Sequence, residues 1–152
     1  RVKLPREEYR NRVLPELVKA HGNDPDRLAA VIVQGLRDGL AGEMVAAANP
    51  LPVIDKDLDR ALSILGVVQR DAGDLDAAEF TMRELQQKRP QSANARVGLA
   101  MLAEKRGDLV RCEAMLWEAL QLDCNHADAV HCYLQVRHRV SATTATQPRS
   151  TR

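Results

Sequence analysis

Cys124, His126, His131, Cys132 and His138 fall within fifteen residues near the C-terminus. Thiolates and imidazoles are the ligands of zinc and copper sites, so this cluster is where the sequence could hold a metal. Its spacing fits no standard zinc pattern. Seven residues apart, His131 and His138 would share a helix face two turns apart, too far to chelate one ion jointly. Surface and packing roles are the better account, and neither a metal nor another cofactor is expected. No Gly-rich phosphate loop, His-Glu-x-x-His helix or nucleophile elbow occurs, and the carboxylates are scattered over helix faces and caps. The chain is not expected to be an enzyme.

The elements that position these residues read as helices. The chain has 152 residues, 45% of them hydrophobic, enough to bury a core. Only 3% are aromatic, few for a strand-rich protein. The net charge of +1 gives no electrostatic footprint for nucleic acid. The longest apolar run, Leu28 to Val33, is far too short to span a bilayer. Three cysteines make no disulfide framework and favour a reducing, cytoplasmic compartment. The opening Arg1-Val2-Lys3 has neither an initiator Met nor a signal-peptide core, which suggests an excised or processed piece.

Breakers cut the chain into segments with helical periodicity. Residues 5 to 21 predict one kinked helix or two short ones, with Tyr9, Val13, Leu17 and Val18 as the apolar stripe and Gly22 as the stop. Asp24-Pro25 opens a second helix that runs to Gly39. A short helix near 42–48 meets Asn49-Pro50-Leu51-Pro52, where two prolines predict extended backbone and an internal boundary. Beyond it, helices end at Gly73, Pro90 and Gly107 and restart at Asp74, Ser92 and Asp108; a last one covers about 127 to 139. Residues 141–152, small and polar, predict a flexible tail.

Comparing the chain with itself at one fixed offset places Leu65 on Leu99, Gly73-Asp74-Leu75 on Gly107-Asp108-Leu109, and Glu79 on Glu113. One copy, 59–92, reads Leu62-x2-Leu65-Gly66-x2-Gln69, then Ala78-x3-Met82 and Pro90. The next, 93–126, has Leu99, Ala100, Cys112, Leu116, Ala119 and Leu122-Asp123-Cys124-Asn125, departing in size only at Arg96. These residues resemble the tetratricopeptide repeat, a 34-residue helix-turn-helix unit. The resemblance covers 59–139, with 127–139 as the first helix of a third copy. Gly39, which precedes Gly73 by the same offset, allows a degenerate copy at 25–58 within the N-terminal segment 1–58. Such arrays need about three repeats for stability, which favours that extension. The implied fold is all-α: a helix-turn-helix repeat solenoid, stacked in a right-handed superhelix, with additional N-terminal helices.

The resemblance also implies a function. Tetratricopeptide proteins are typically interaction scaffolds, whose stacked first helices line a concave groove for a peptide or a partner helix. Carried onto this sequence, the groove residues are Arg60, Ser63, Val67 and Arg70; Asn94, Val97, Met101 and Glu104; and His131, Gln135 and His138. Chaperone-binding members grip a terminal carboxylate with Lys, Arg and Asn. The matching places hold Ser63, Val67, Gly98, Asp128 and Cys132, or in the earlier register Ala29, Val33, Ile64, Asn94 and Gly98, so that clamp is absent. Trp117 is expected to pack against a neighbour. The leading expectation is a non-enzymatic adaptor that binds another protein. Two alternatives are a docking or regulatory segment of a larger enzyme, such as a transferase, and a self-assembly module using the apolar face around Val130, Tyr133 and Leu134.

Overall fold

The computed structural model describes residues 5–146, and every regular element among them is helical. The order is α1 (Arg6–Glu8), a π-helical stretch (Tyr9–Val13), α2 (Leu14–His21), α3 (Pro25–Arg37), α4 (Ala41–Ala48), α5 (Leu51–Ile54), α6 (Leu58–Asp71), α7 (Leu75–Lys88), α8 (Ala93–Lys105), α9 (Leu109–Leu122) and α10 (Ala127–Thr146). The first three elements are one continuous helical run. Pro15 has no N–H to donate, and the Leu14 N–H reaches back five residues to the Tyr9 carbonyl, so the turn before the proline widens into a π-bulge.

Three turns in equivalent places set the register. Gly39, Gly73 and Gly107 have φ of 74°, 96° and 82°, the left-handed region that favours glycine. At each turn the next residue's N–H closes a six-residue bond onto the helix just ended: Leu40 to Gly35, Asp74 to Gln69 and Asp108 to Ala103, all at 2.9 Å. This is the Schellman arrangement. Aspartates then cap helix starts: Asp74 accepts from the Ala77 N–H at 3.0 Å, and Asp24, Asp57 and Asp108 do the same for α3, α6 and α9. Ser92 holds the cap position of α8 but makes no cap bond, and its hydroxyl is buried without a partner.

The chain divides into two compact units, one ending at Thr81 and the other starting at Met82. In the first, Leu28, Ile32, Leu40, Met44, Leu51 and Val68 form an enclosed core, with α3 packed on α4 and both on α6. Each such side chain contributes about 1.5–3 kcal/mol by leaving water. Asn49–Pro52 does not become extended. Pro50 takes a helical conformation and Pro52 sits in the first turn of α5, where a missing N–H costs nothing, and this lets Leu51 reach the core. In the second unit α8 pairs with α9 and α9 with α10 around Val97, Ala100, Cys112, Leu116 and Val136. Met82 of α7 seats on Gly98 of α8, where a Cβ would lie 2.8 Å from the Met82 Cγ.

The last helix outruns its expected end near 139 and continues to Thr146. No glycine or proline interrupts residues 127–146, so each added residue extends the helix cheaply. Arg139, meanwhile, ties the helix to Glu104 at 2.8 Å. Residues 147–152 of the expected tail lie outside the described residues.

Candidate functional site

In the second unit two bridges fix how α8 and α10 lie. At one end His126 Nε2 is 2.7 Å from Asn94 Oδ1. At the other, Arg139 donates to Glu104 at 2.8 Å. The start of α8 therefore meets the start of α10, and the end of α8 meets the latter part of α10: the two run parallel, side by side. His126 also caps α10, because its Nδ1 accepts the Ala129 N–H at 3.2 Å. A ring that accepts at Nδ1 carries its proton at Nε2 and donates it to Asn94.

Of the groove residues expected on this surface, Asn94, His131, Gln135 and His138 are exposed, while Met101 and Glu104 are half-buried. Val97 departs from expectation. It is 5% exposed and belongs to the core, so it packs rather than lines a groove. The side-by-side placement turns its helical face toward the cluster that also holds Val136.

In the first unit the expected α6 residues are engaged internally. The Arg60 guanidinium pairs with Asp55 at 2.8 Å and Asp26 at 2.7 Å, tying the start of α6 to the α5–α6 link and to α3. The hydrogen bond from Arg60 holds the buried Asp55 carboxyl below the usual carboxylate range, against the opposing pull of desolvation. Asp55 in turn raises the Arg60 guanidinium, with a smaller push from Asp26. Asp55 also accepts the Asp57 N–H at 2.9 Å. The Ser63 hydroxyl donates to Asp59 at 3.2 Å, Arg70 pairs with Asp71 at 3.0 Å, and Val67 is half-buried. Arg60 is thus a fastening of the fold, which its position in the repeat pattern did not disclose.

The cysteines and histidines disperse. Both nitrogens of His126 are used in protein hydrogen bonds, Cys124 is exposed, and Cys112 is enclosed between α9 and its neighbours. Burial pushes the Cys112 thiol up to about 11. Among the described residues no three His, Cys, Asp or Glu side chains gather as a metal-holding group.

Sequence reasoning missed a second feature of this unit. Trp117, expected to be packed, is 53% exposed. Its ring lies 5.8 Å from that of Tyr133, tilted by 38°. The two flank a groove of about 740 Å³, lined by Val110, Glu113, Ala114, Trp117, Tyr133 and Arg137. Arg137 donates to Glu113 across it at 2.8 Å, and this bond raises the Arg137 guanidinium. The spacing Val110, Ala114, Trp117 was readable as a helical stripe; that it faces outward was not.

No protein-family model matches the sequence. No curated protein matches it either. Solved structures do. The tetratricopeptide domain of Sgt2 from Aspergillus fumigatus matches 85% of this chain and 87% of its own, at a TM-score of 0.68 and 11% identity. The Yersinia enterocolitica type III secretion chaperone SycD, solved in complex with a peptide of the translocator YopD, matches 81% of this chain and 94% of its own, at a TM-score of 0.63 and 17% identity. The first tetratricopeptide domain of human RPAP3 matches 88% and 99%, at a TM-score of 0.64 and 10% identity. At these identities the likeness concerns fold. No helix among the described residues is long and apolar enough to cross a membrane. The repeated Schellman turns, the paired helices and these neighbours agree: the chain has a tetratricopeptide-repeat-like, all-helical fold.

Proposed function

We propose that this protein is a non-enzymatic adaptor that binds an extended peptide or a helix of another protein along the first helices of its repeats, with residues 25–58 serving as a further repeat. The observation that carries the reading is the parallel placement of α8 and α10, which sets exposed Asn94, His131, Gln135 and His138 beside half-buried Met101. A surface of exposed polar side chains around a partly buried apolar one suits a peptide, whose backbone needs hydrogen bonds and whose side chains need small apolar contacts. SycD, a structural neighbour, was solved with a peptide. The cytoplasm is the compartment we infer, from three cysteines that are all free.

The test is affinity capture from a lysate of the source organism, comparing the native chain with a His131→Asp, Gln135→Arg variant. Both positions are exposed, so the helical circular dichroism should not change. A partner retained by the native chain and lost by the variant is the expected result. Identical capture by both chains would remove this surface from the binding reaction.

A further inference from the structure

Four long helices of this chain start on a carboxylate. Asp24, Asp57, Asp74 and Asp108 accept first-turn N–H groups of α3, α6, α7 and α9. A carboxylate keeps its accepting charge down to about pH 4. At the start of α10 an imidazole takes this role: Nδ1 of His126 accepts the Ala129 N–H at 3.2 Å. Imidazoles ordinarily titrate near pH ~6.5, so this cap alone changes state close to neutral pH.

Both ring nitrogens are committed, and only the neutral ring satisfies both. Nε2 donates to Asn94 Oδ1 at 2.7 Å while Nδ1 accepts. A second proton would sit on Nδ1 and meet the Ala129 N–H, donor against donor. Ala129 has no exposure, so water does not replace the lost acceptor, and a buried donor without a partner is costly. The positive end of the α10 dipole also opposes a cation there. The bond to Asn94 becomes charge-assisted, but Asn94 is exposed and gains little in water. The charged groups of the adjoining elements at this end do not supply the missing acceptor. Arg96 of α8 donates to the Pro90 carbonyl at 2.9 Å and stands 3.6 Å from Glu118 of α9. In the α9–α10 link Asp123 accepts the Asn125 N–H at 3.0 Å beside exposed Cys124, and Asp128 of α10 is exposed, where water screens its charge.

The two bridges between α8 and α10 therefore respond to different ranges of pH. Glu104, which holds Arg139 at the far end, is a carboxylate of a type that protonates near pH ~4.3. The His126 cap is complete above the ordinary imidazole value and is lost as pH falls through it. Between the two values α10 keeps its far bridge and loses its near cap.

We propose that neutral His126 is a pH-sensitive fastening of α10, which orders the helix start against α8 near neutral pH and loosens it in mild acid. Its effect on the surface of His131, Gln135 and His138 rests on the adaptor reading above; the fastening itself is measured with no partner present.

The test is amide hydrogen exchange and ring 15N spectroscopy of the full chain from about pH 7 to about pH 5, for the native sequence and for His126→Asn. Asparagine caps a helix as well as any residue and does not titrate in this range. In the native chain the protection factor of the Ala129 amide should fall at least about fivefold, the equivalent of one lost cap, while amides near Arg139 keep theirs. The His126 Nδ1 signal should change from unprotonated to protonated over the same interval. In His126→Asn the Ala129 protection factor should be the same at both ends. Constant protection in the native chain, a Nδ1 transition that does not coincide with the loss, or a loss that persists in His126→Asn, which retains His131 and His138, overturns the proposal. Failure of the chain to capture any partner would strike the adaptor reading and leave the Ala129 result standing.

Discussion

In the hairpin of α3 and α4, a Cβ built on Gly35 would lie 2.8 Å from the Cγ of Met44, a side chain with no exposure at all. At the 34-residue offset and at twice that offset the matching pairs are Gln69 with Ala78 and Ala103 with Cys112. The α3–α4 hairpin thus places methionine where the hairpins further along the chain have alanine or cysteine, and glycine gives it room. A double-mutant cycle should detect this seating. Met44→Ala alone leaves a cavity and should cost about 3 kcal/mol. Gly35→Ala alone forces a methyl group into Met44 at about 2 kcal/mol, offset by about 1 kcal/mol of helix propensity, for a net loss of about 1 kcal/mol. Additivity would give about 4 kcal/mol. In the double variant the clash is absent, the propensity gain remains and the new methyl fills part of the cavity, so the loss should be about 1–2 kcal/mol, a coupling of about 2–3 kcal/mol. Urea unfolding followed by far-UV circular dichroism measures all three. Losses additive to within about 0.5 kcal/mol, the scatter expected of independent sites, would refute the seating of Met44 on Gly35.

Three further predictions rest on ionisable groups. With a thiol-specific reagent at neutral pH, exposed Cys124 should react first and Cys112 only after unfolding. Because the folded Cys112 thiol is held neutral, from an ordinary 9.0 up to about 11, its stabilising share is complete below about pH 9 and is lost as pH rises toward 11. Stability of Cys112→Ala should therefore fall less than that of the native chain between about pH 8.5 and 10.5; equal slopes would contradict the burial argument. Asp55 has the opposite sign: its folded carboxyl lies below 3.8, so its contribution is present above that value and disappears as pH drops through the lower folded one. Asp55→Asn should lose about 1–2 kcal/mol at pH 7 and show a flatter acid limb in urea titrations; an unchanged limb would show that the Arg60 pair carries no linkage.

The parts of the fold legible in the sequence are those set by local backbone chemistry. Gly39, Gly73 and Gly107 mark left-handed turns that few other residues accept, and Asp24, Asp57, Asp74 and Asp108 mark caps, so both can be seen without a structure. What depends on packing partners is less visible. The seating of Met44 on Gly35 is one such case, because neither residue's type says which neighbour it packs against. Pro50 and Pro52 read as a break, since the sequence does not say that they fall at a helix start. Ser92 reads as a cap, yet its side chain is enclosed and makes no such bond. At the candidate site, exposure of His131, Gln135 and His138 follows from helical phase. The burial of Val97 does not, because a valine beside a groove and a valine beneath it have the same phase. Arg60 shows the same gap: whether an arginine is free or held by two carboxylates depends on chain segments as remote in sequence as Asp26.

The Schellman turns also bear on how the chain reaches its native state. Each folds the backbone back within six residues, so the helix that follows meets its partner with almost no loop to close. Such a search is local in time as well as in space: hairpins can form independently, within the microseconds to milliseconds of helical proteins, and then dock on a neighbour. Synthesis from the N-terminus therefore delivers hairpins that can form as they emerge, each waiting only for the next helices of the chain to cover its remaining apolar surface.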